Sequence, residues 1–139
     1  MAQKVNEVMT PVPVAVPPDT SLVEVGDLMR QHGIGDVLVV HEGRLRGLVT
    51  DRDIVVRAVA RQRDMSGTTV ADICSTNMIT VAPGEDADEA VRLMRENAVR
   101  RIPVVDGDRP IGMVSIGDLA VQRDERSALA DISAEPPNT

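Results

Sequence analysis

The chain has 139 residues, 42% of them apolar and 27% charged, the composition of a folded globular protein and not of a disordered one. Its net charge of −7 opposes association with nucleic-acid phosphates or an anionic membrane surface, and without any Phe, Tyr or Trp it has no ring on which a base can stack. The single cysteine, Cys74, provides neither an internal disulfide nor a Cys-x-x-Cys metal or redox motif, and no apolar run reaches the ~18 residues that cross a bilayer.

Met1-Ala2-Gln3-Lys4 leads into no signal-peptide core, so a cytoplasmic location is expected. Val14-Ala15-Val16 reads as a short strand closed by Pro18. Ser21 with Glu24 three residues on has the capping-box pattern, and Leu22, Val25, Leu28 and Met29 form the apolar stripe of a helix over 22–32. The β-branched run Val37-Leu38-Val39-Val40 and the run Gly47-Leu48-Val49-Thr50 predict a strand pair, and Ile54, Val55 and Ala58 predict a closing helix over 51–59. The polar segment 63–69, containing Gly67, reads as a linker.

The same order then recurs. Ile79-Thr80-Val81 precedes Pro83, and Asp86 with Glu89 opens a helix over 87–97 striped by Ala87, Ala90, Val91 and Met94. Ile102-Pro103-Val104-Val105 and Ile111-Gly112-Met113-Val114 form a second strand pair, and a closing helix is expected from Asp118 to about Ile132. Ser133 to Thr139, with Pro136-Pro137, is expected to be a disordered tail. Positions 5–56 laid on 70–121 give 14 identities without a gap, so the chain is a tandem duplication of a β-α-β-β-α unit, an α/β (α+β) fold. The repeats are expected at 1–62 and 70–132. One repeat of about 55 residues would bury only a marginal core, so the two should act together.

The phrase Gly47-Leu48-Val49-Thr50-Asp51-Arg52-Asp53 returns as Gly112-Met113-Val114-Ser115-Ile116-Gly117-Asp118. In each, a hydroxyl and an aspartate stand where a strand runs into a helix, beside unpaired backbone N–H groups that suit a phosphate. Asp53 and Asp118 are able to accept two hydrogen bonds from a vicinal diol, so Thr50 and Ser115 for phosphate with Asp53 and Asp118 for ribose suit a nucleotide. The plainer reading makes them helix caps and dipole partners only. Gly47 and Gly112 leave room for another backbone or a ligand to come close.

The two phrases and their surroundings resemble the CBS domain, which occurs in tandem pairs called Bateman modules; the resemblance spans roughly Val5 to Arg123. It implies two pseudo-symmetric repeats packed through their sheets, with inter-repeat clefts that bind AMP, ADP, ATP, NAD(H) or S-adenosylmethionine. It further implies ribose at Asp53 and Asp118, phosphate at Thr50 and Ser115, and a base pocket near Val16, Val37, Leu38, Val81, Ile102 and Pro103. Arg100 and Arg101 are candidates to neutralise phosphates, whereas their counterparts are Gly35 and Asp36. The stretch Thr50 to Val55 is also similar to that of small stand-alone bacterial members, including hypoxia- and stress-response proteins.

The expected role is a sensor that binds an adenosyl nucleotide and modulates a separate, unidentified protein, with a homodimer as the family's usual assembly and no required cofactor. The alternative is a constitutive dimerisation module with empty clefts. His32 and His41 form no metal pair, Arg57, Arg61 and Arg63 read as a solvated helix face and linker, and no Ser-His-Asp, Cys-His or metal set suggests an enzyme. Cys74 and the methionines are expected to be apolar filling.

Overall fold

The computed structural model describes residues 3–123; the expected extension of the last helix to Ile132 and the tail at 133–139 lie outside the described residues. The chain folds into two compact units. Among the described residues, one is contiguous, residues 14–78, and the other joins residues 3–13 to residues 79–123. We call them the repeat-1 and repeat-2 units. The repeats are contiguous in sequence but the units are not, because each repeat's leading segment packs into the other repeat's unit.

In the repeat-1 unit, β2 (Ala15–Val16) runs parallel to β3 (Asp36–His41), which pairs antiparallel with β4 (Arg44–Thr50), giving the order β2-β3-β4. In the repeat-2 unit, β5 (Arg101–Asp106) pairs with β6 (Arg109–Ser115), and β1 (Thr10–Pro11) covers the other edge of β6. Both strand pairs carry a register irregularity at equivalent places, Val39/Val40 and Val104/Val105. The strand expected at Ile79–Val81 is reduced to a single parallel bridge, Val81 to Val104.

Helix α2 (Leu22–His32) starts where Ser21 Oγ accepts from Glu24 N at 3.2 Å, and buries Leu22, Val25 and Met29. Helix α5 (Ala87–Asn97) buries Ala87, Ala90 and Met94 in the same way, but its N-cap Asp86 makes no cap bond. Lys4 Nζ takes that carboxylate at 2.7 Å instead, which raises the lysine pKa, and Glu89 pairs with Arg92. The closing helix of repeat 1 is corrected by the structure: α3 spans only Asp51–Ile54 and continues as a π-helical turn, Val55–Val59. Its counterpart α6 (Ile116–Arg123) is α-helical.

The leading segments carry two short helices that the periodicity did not reveal, α1 (Val5–Val8) and α4 (Val70–Ile73), 65 residues apart. Their seats match bond for bond. Val5 N donates to Glu85 O at 2.8 Å and Val70 N to Thr20 O at 2.7 Å; Asn6 N reaches Pro83 O and Ala71 N reaches Pro18 O, both at 3.1 Å. Val5 and Val8 enter the repeat-2 core beside Ala90, Ile102 and Val114, and Val70 and Ile73 enter the repeat-1 core beside Val25, Val37 and Val49. Segment 63–69, expected as a linker, is stitched to the start of α2: Val23 N donates to Met65 O, Leu22 N donates to Thr68 O, and Thr68 is buried.

Each leader then crosses the phrase glycine. Thr10 pairs with Met113 and Ser75 with Leu48, again equivalent positions. A Cβ on Gly47 would stand 2.7 Å from Cys74 Sγ and 3.2 Å from Ser75 O; one on Gly112 would overlap Met9 Sδ and lie 3.0 Å from Thr10 O. The glycines are therefore required by another backbone. Gly47→Ala and Gly112→Ala should each destabilise the fold by about 1–3 kcal/mol, measured by chemical denaturation followed by circular dichroism. A second substitution should act oppositely. Helix α2 ends on Gly33 in the left-handed region, whereas α5 ends on exposed Ala98 at φ 54°, so Ala98→Gly should stabilise by about 0.5–1 kcal/mol in the same measurement.

Candidate functional site

Alternation along the strands sorts the candidate residues by face. On β3 and β4, the pairs Val37–Val49 and Val39–Gly47 face the core, so Asp36–Thr50 and Leu38–Leu48 share the opposite face. On β5 and β6, Ile102–Val114 and Val104–Gly112 face the core, which leaves Arg101–Ser115 and Pro103–Met113 opposite. Val16, Val37, Val81 and Ile102, expected near a base, are constituents of the two cores. Leu38 and Pro103 are fully buried yet belong to neither core cluster, and they lie on the face that carries the hydroxyls.

The hydroxyl and aspartate of each phrase form a reciprocal cap. Thr50 N donates to Asp53 Oδ2 at 2.9 Å and Asp53 N donates to Thr50 Oγ1 at 3.1 Å; the Ser115–Asp118 distances are 3.0 and 3.1 Å. This is the capping-box geometry, and it fixes both side chains in one rotamer. It also limits their chemistry. The cap uses Oδ2, so each carboxylate keeps Oδ1 as an acceptor, and each hydroxyl keeps its proton to donate.

Arg100 and Arg101 share the repeat-2 unit with Ser115 and Asp118. Arg101 pairs across the strands with Ser115, and Arg100 O accepts from Ile116 N at 2.9 Å. Both arginines are exposed. In the repeat-1 unit, Asp36 pairs with Thr50 and Gly35 O accepts from Asp51 N, also at 2.9 Å.

The sequence reading missed one residue. Arg57, taken as part of a solvated face, donates from one guanidinium nitrogen to Ile73 O at 2.9 Å and to Ser75 Oγ at 3.2 Å, and lies 3.7 Å from Asp53 Oδ1. It ties the leader of one repeat to the phrase aspartate of the other. Its i,i+4 spacing from Asp53 was the available signal; the 65-residue offset makes its counterpart Gln122. Cys74 lies partly buried under Gly47, and burial pushes its thiol pKa up, which suits packing and not nucleophilic chemistry. Among the described residues no group of three or more His, Cys, Asp or Glu side chains is placed to hold a metal ion, and no helix is long and apolar enough to cross a membrane.

Comparison with known proteins supports the duplication. The CBS domain family model matches twice, over residues 5–59 and 70–123. The chain is 38% identical over 133 residues to the CBS domain-containing protein YhcV of Bacillus subtilis, covering 93% of this chain and 94% of that one. It is 30% identical to hypoxic response protein 1 of Mycobacterium tuberculosis, covering 82% and 80% respectively. Among solved structures, the CBS domain pair of protein MJ0100, in complex with 5′-methylthioadenosine and S-adenosyl-L-methionine, superposes with a TM-score of 0.82 at 25% identity over 91% of this chain and all of the other. Two matched domains on two units of equivalent topology, each ending its second long strand in the same cap, establish that this chain belongs to the CBS domain family as a tandem pair.

Proposed function

We propose that the protein is a non-catalytic regulatory module of the cytoplasm, which binds adenosyl nucleotides at its two capped phrases and modulates a separate protein. The observation that carries this reading is the reciprocal cap, built twice on equivalent backbone, because it holds a hydroxyl and a carboxylate oxygen ready for a ribose and its 5′ substituent. The ligands bound to the MJ0100 pair support the adenosyl class. The similarity to a hypoxic response protein supports a role in bacterial stress.

The chemistry follows from what the cap leaves over. Asp53 and Asp118 offer Oδ1 to the ribose diol, and the hydroxyls of Thr50 and Ser115 donate to the 5′ group. Regulation then requires only that the ligand favour one conformation, and each tenfold change in partner affinity needs about 1.4 kcal/mol of such coupling. Arg57 provides a local route in the repeat-1 unit, since a ribose at Asp53 competes for the carboxylate that Arg57 approaches while it holds Ile73 and Ser75.

A second reading, self-association, has its own support. Val55, Val56 and Val59 are each at least half exposed on the π-helical turn, an apolar patch where a soluble surface is normally polar. In the repeat-2 unit an apolar groove of about 400 Å³ between α5 and α6 is lined by Val91, Met94, Val99, Ile116 and Leu119. Homodimerisation through such helical faces is compatible with nucleotide binding.

Lacking aromatic residues, the chain is transparent where adenine absorbs, so the ultraviolet spectrum of freshly purified protein reads bound nucleotide directly. Calorimetric titration should give two adenosyl sites; Asp53→Ala and Asp118→Ala should each remove one and the double variant both. Unchanged affinity in the double variant overturns the ribose assignment. In sedimentation velocity, Val56→Asp should shift a dimer toward monomer; no change in mass would remove the π-helical patch from the interface.

A further inference from the structure

The two phrases stand in one backbone frame but differ in the charge around them. The strand pairings Asp36–Thr50 and Arg101–Ser115, the 2.9 Å bonds from Asp51 N and Ile116 N, and both caps superimpose under the 65-residue offset. Within that frame Gly35 replaces Arg100, Asp36 replaces Arg101, Asp51 replaces Ile116 and Arg52 replaces Gly117. These four repeat-1 positions carry one net negative charge, which Arg57 beside Asp53 offsets, whereas their repeat-2 counterparts carry two positive charges and Gln122 stands at the place of Arg57.

The contrast is sharpest beside the hydroxyl. Asp51 Oδ2 lies 2.9 Å from the point where a Cβ on Gly35 would stand. Its carboxylate therefore occupies the space from which the Arg100 side chain grows in the other unit, and the glycine and the aspartate form a matched set. Asp51 is exposed, directly follows Thr50 and lies over Gly35, which puts its charge in the neighbourhood of a 5′ group received by the Thr50 hydroxyl. An anion there faces repulsion from a like charge, whereas in repeat 2 it faces arginine.

We propose that the two sites select opposite 5′ chemistry. The Ser115–Asp118 site takes adenosyl compounds bearing 5′-phosphates, and the Thr50–Asp53 site takes those whose 5′ substituent is neutral or cationic, such as a thioether or a sulfonium. The inference rests on the adenosyl reading above and adds to it which class each site accepts. It makes the module a comparator, able to report phosphorylated and unphosphorylated adenosyl pools in one chain.

The test is calorimetric titration of ATP, AMP, adenosine, 5′-methylthioadenosine and S-adenosylmethionine into the full chain carrying Asp118→Ala, which isolates repeat 1, or Asp53→Ala, which isolates repeat 2. Methylthioadenosine and S-adenosylmethionine should exceed ATP in the first protein, with the order reversed in the second. Asp51→Asn and Arg100→Gln leave both caps in place and serve as the second measurement. Asp51→Asn should strengthen ATP binding at repeat 1 roughly tenfold at low salt, leave methylthioadenosine unchanged, and lose most of its effect as salt screens the charge. If either site ranks the five compounds as the other does, and neither Asp51→Asn nor Arg100→Gln alters the ranking, charge selection is overturned while adenosyl binding stands. If none of the five binds the unsubstituted chain, the adenosyl reading itself falls.

Discussion

The seat of each leader over a phrase glycine is the constraint on which the rest of the structure depends. Ser75 exchanges 2.9 Å backbone bonds with Leu48 in both directions, and β1 closes the matching edge of β6. Only glycine lets the chains approach so closely, and only that approach brings Val70 and Ile73, or Val5 and Val8, into a core that either repeat alone would leave open. The edge strand so covered ends in the hydroxyl that begins the cap. Core closure, strand-edge protection and presentation of the candidate ligand groups are thus one structural event, repeated.

The cap ties the candidate ligand groups of Asp53 and Asp118 to the helix start. The same carboxylate that fixes the helix start keeps its second oxygen outside the cap, so the geometry of the candidate site is inherited from the stability of the fold. A side chain already locked by two hydrogen bonds surrenders little further entropy when a ligand arrives. In the repeat-1 unit Arg57 adds a third partner and carries the link to the leader. The two candidate sites are consequently alike in frame, different in charge and different in their mechanical attachment.

Much of this was legible in the sequence because the duplication allowed each signal to be read twice. The helices at 22–32 and 87–97 and both strand pairs emerge at the expected positions, since apolar period and turn residues agree there. The exchange of leaders was not legible: Val5, Val8, Val70 and Ile73 have a helical spacing too short to announce itself, and nothing local tells a segment which repeat it serves. The π-helical turn at Val55–Val59 was read as ordinary helix, because an extra residue in a turn leaves no mark on so short a stripe. At the candidate site, the phrase itself was visible, but Val37 and Ile102 were placed by the resemblance beside a base and by strand alternation in the cores. Tertiary contact alone singled out Arg57 among the neighbouring arginines.

Connectivity also sets the order in which the molecule can be completed during its synthesis. The repeat-1 unit is contiguous and has every segment it needs once Met78 has left the ribosome. The repeat-2 unit needs both residues 3–13 and β6, which is synthesised about a hundred residues later. At cellular translation rates that interval is on the order of ten seconds, during which Val5 and Val8 have no core to enter. Final closure joins segments about a hundred residues apart, a contact of high sequence separation and of the kind that forms slowly.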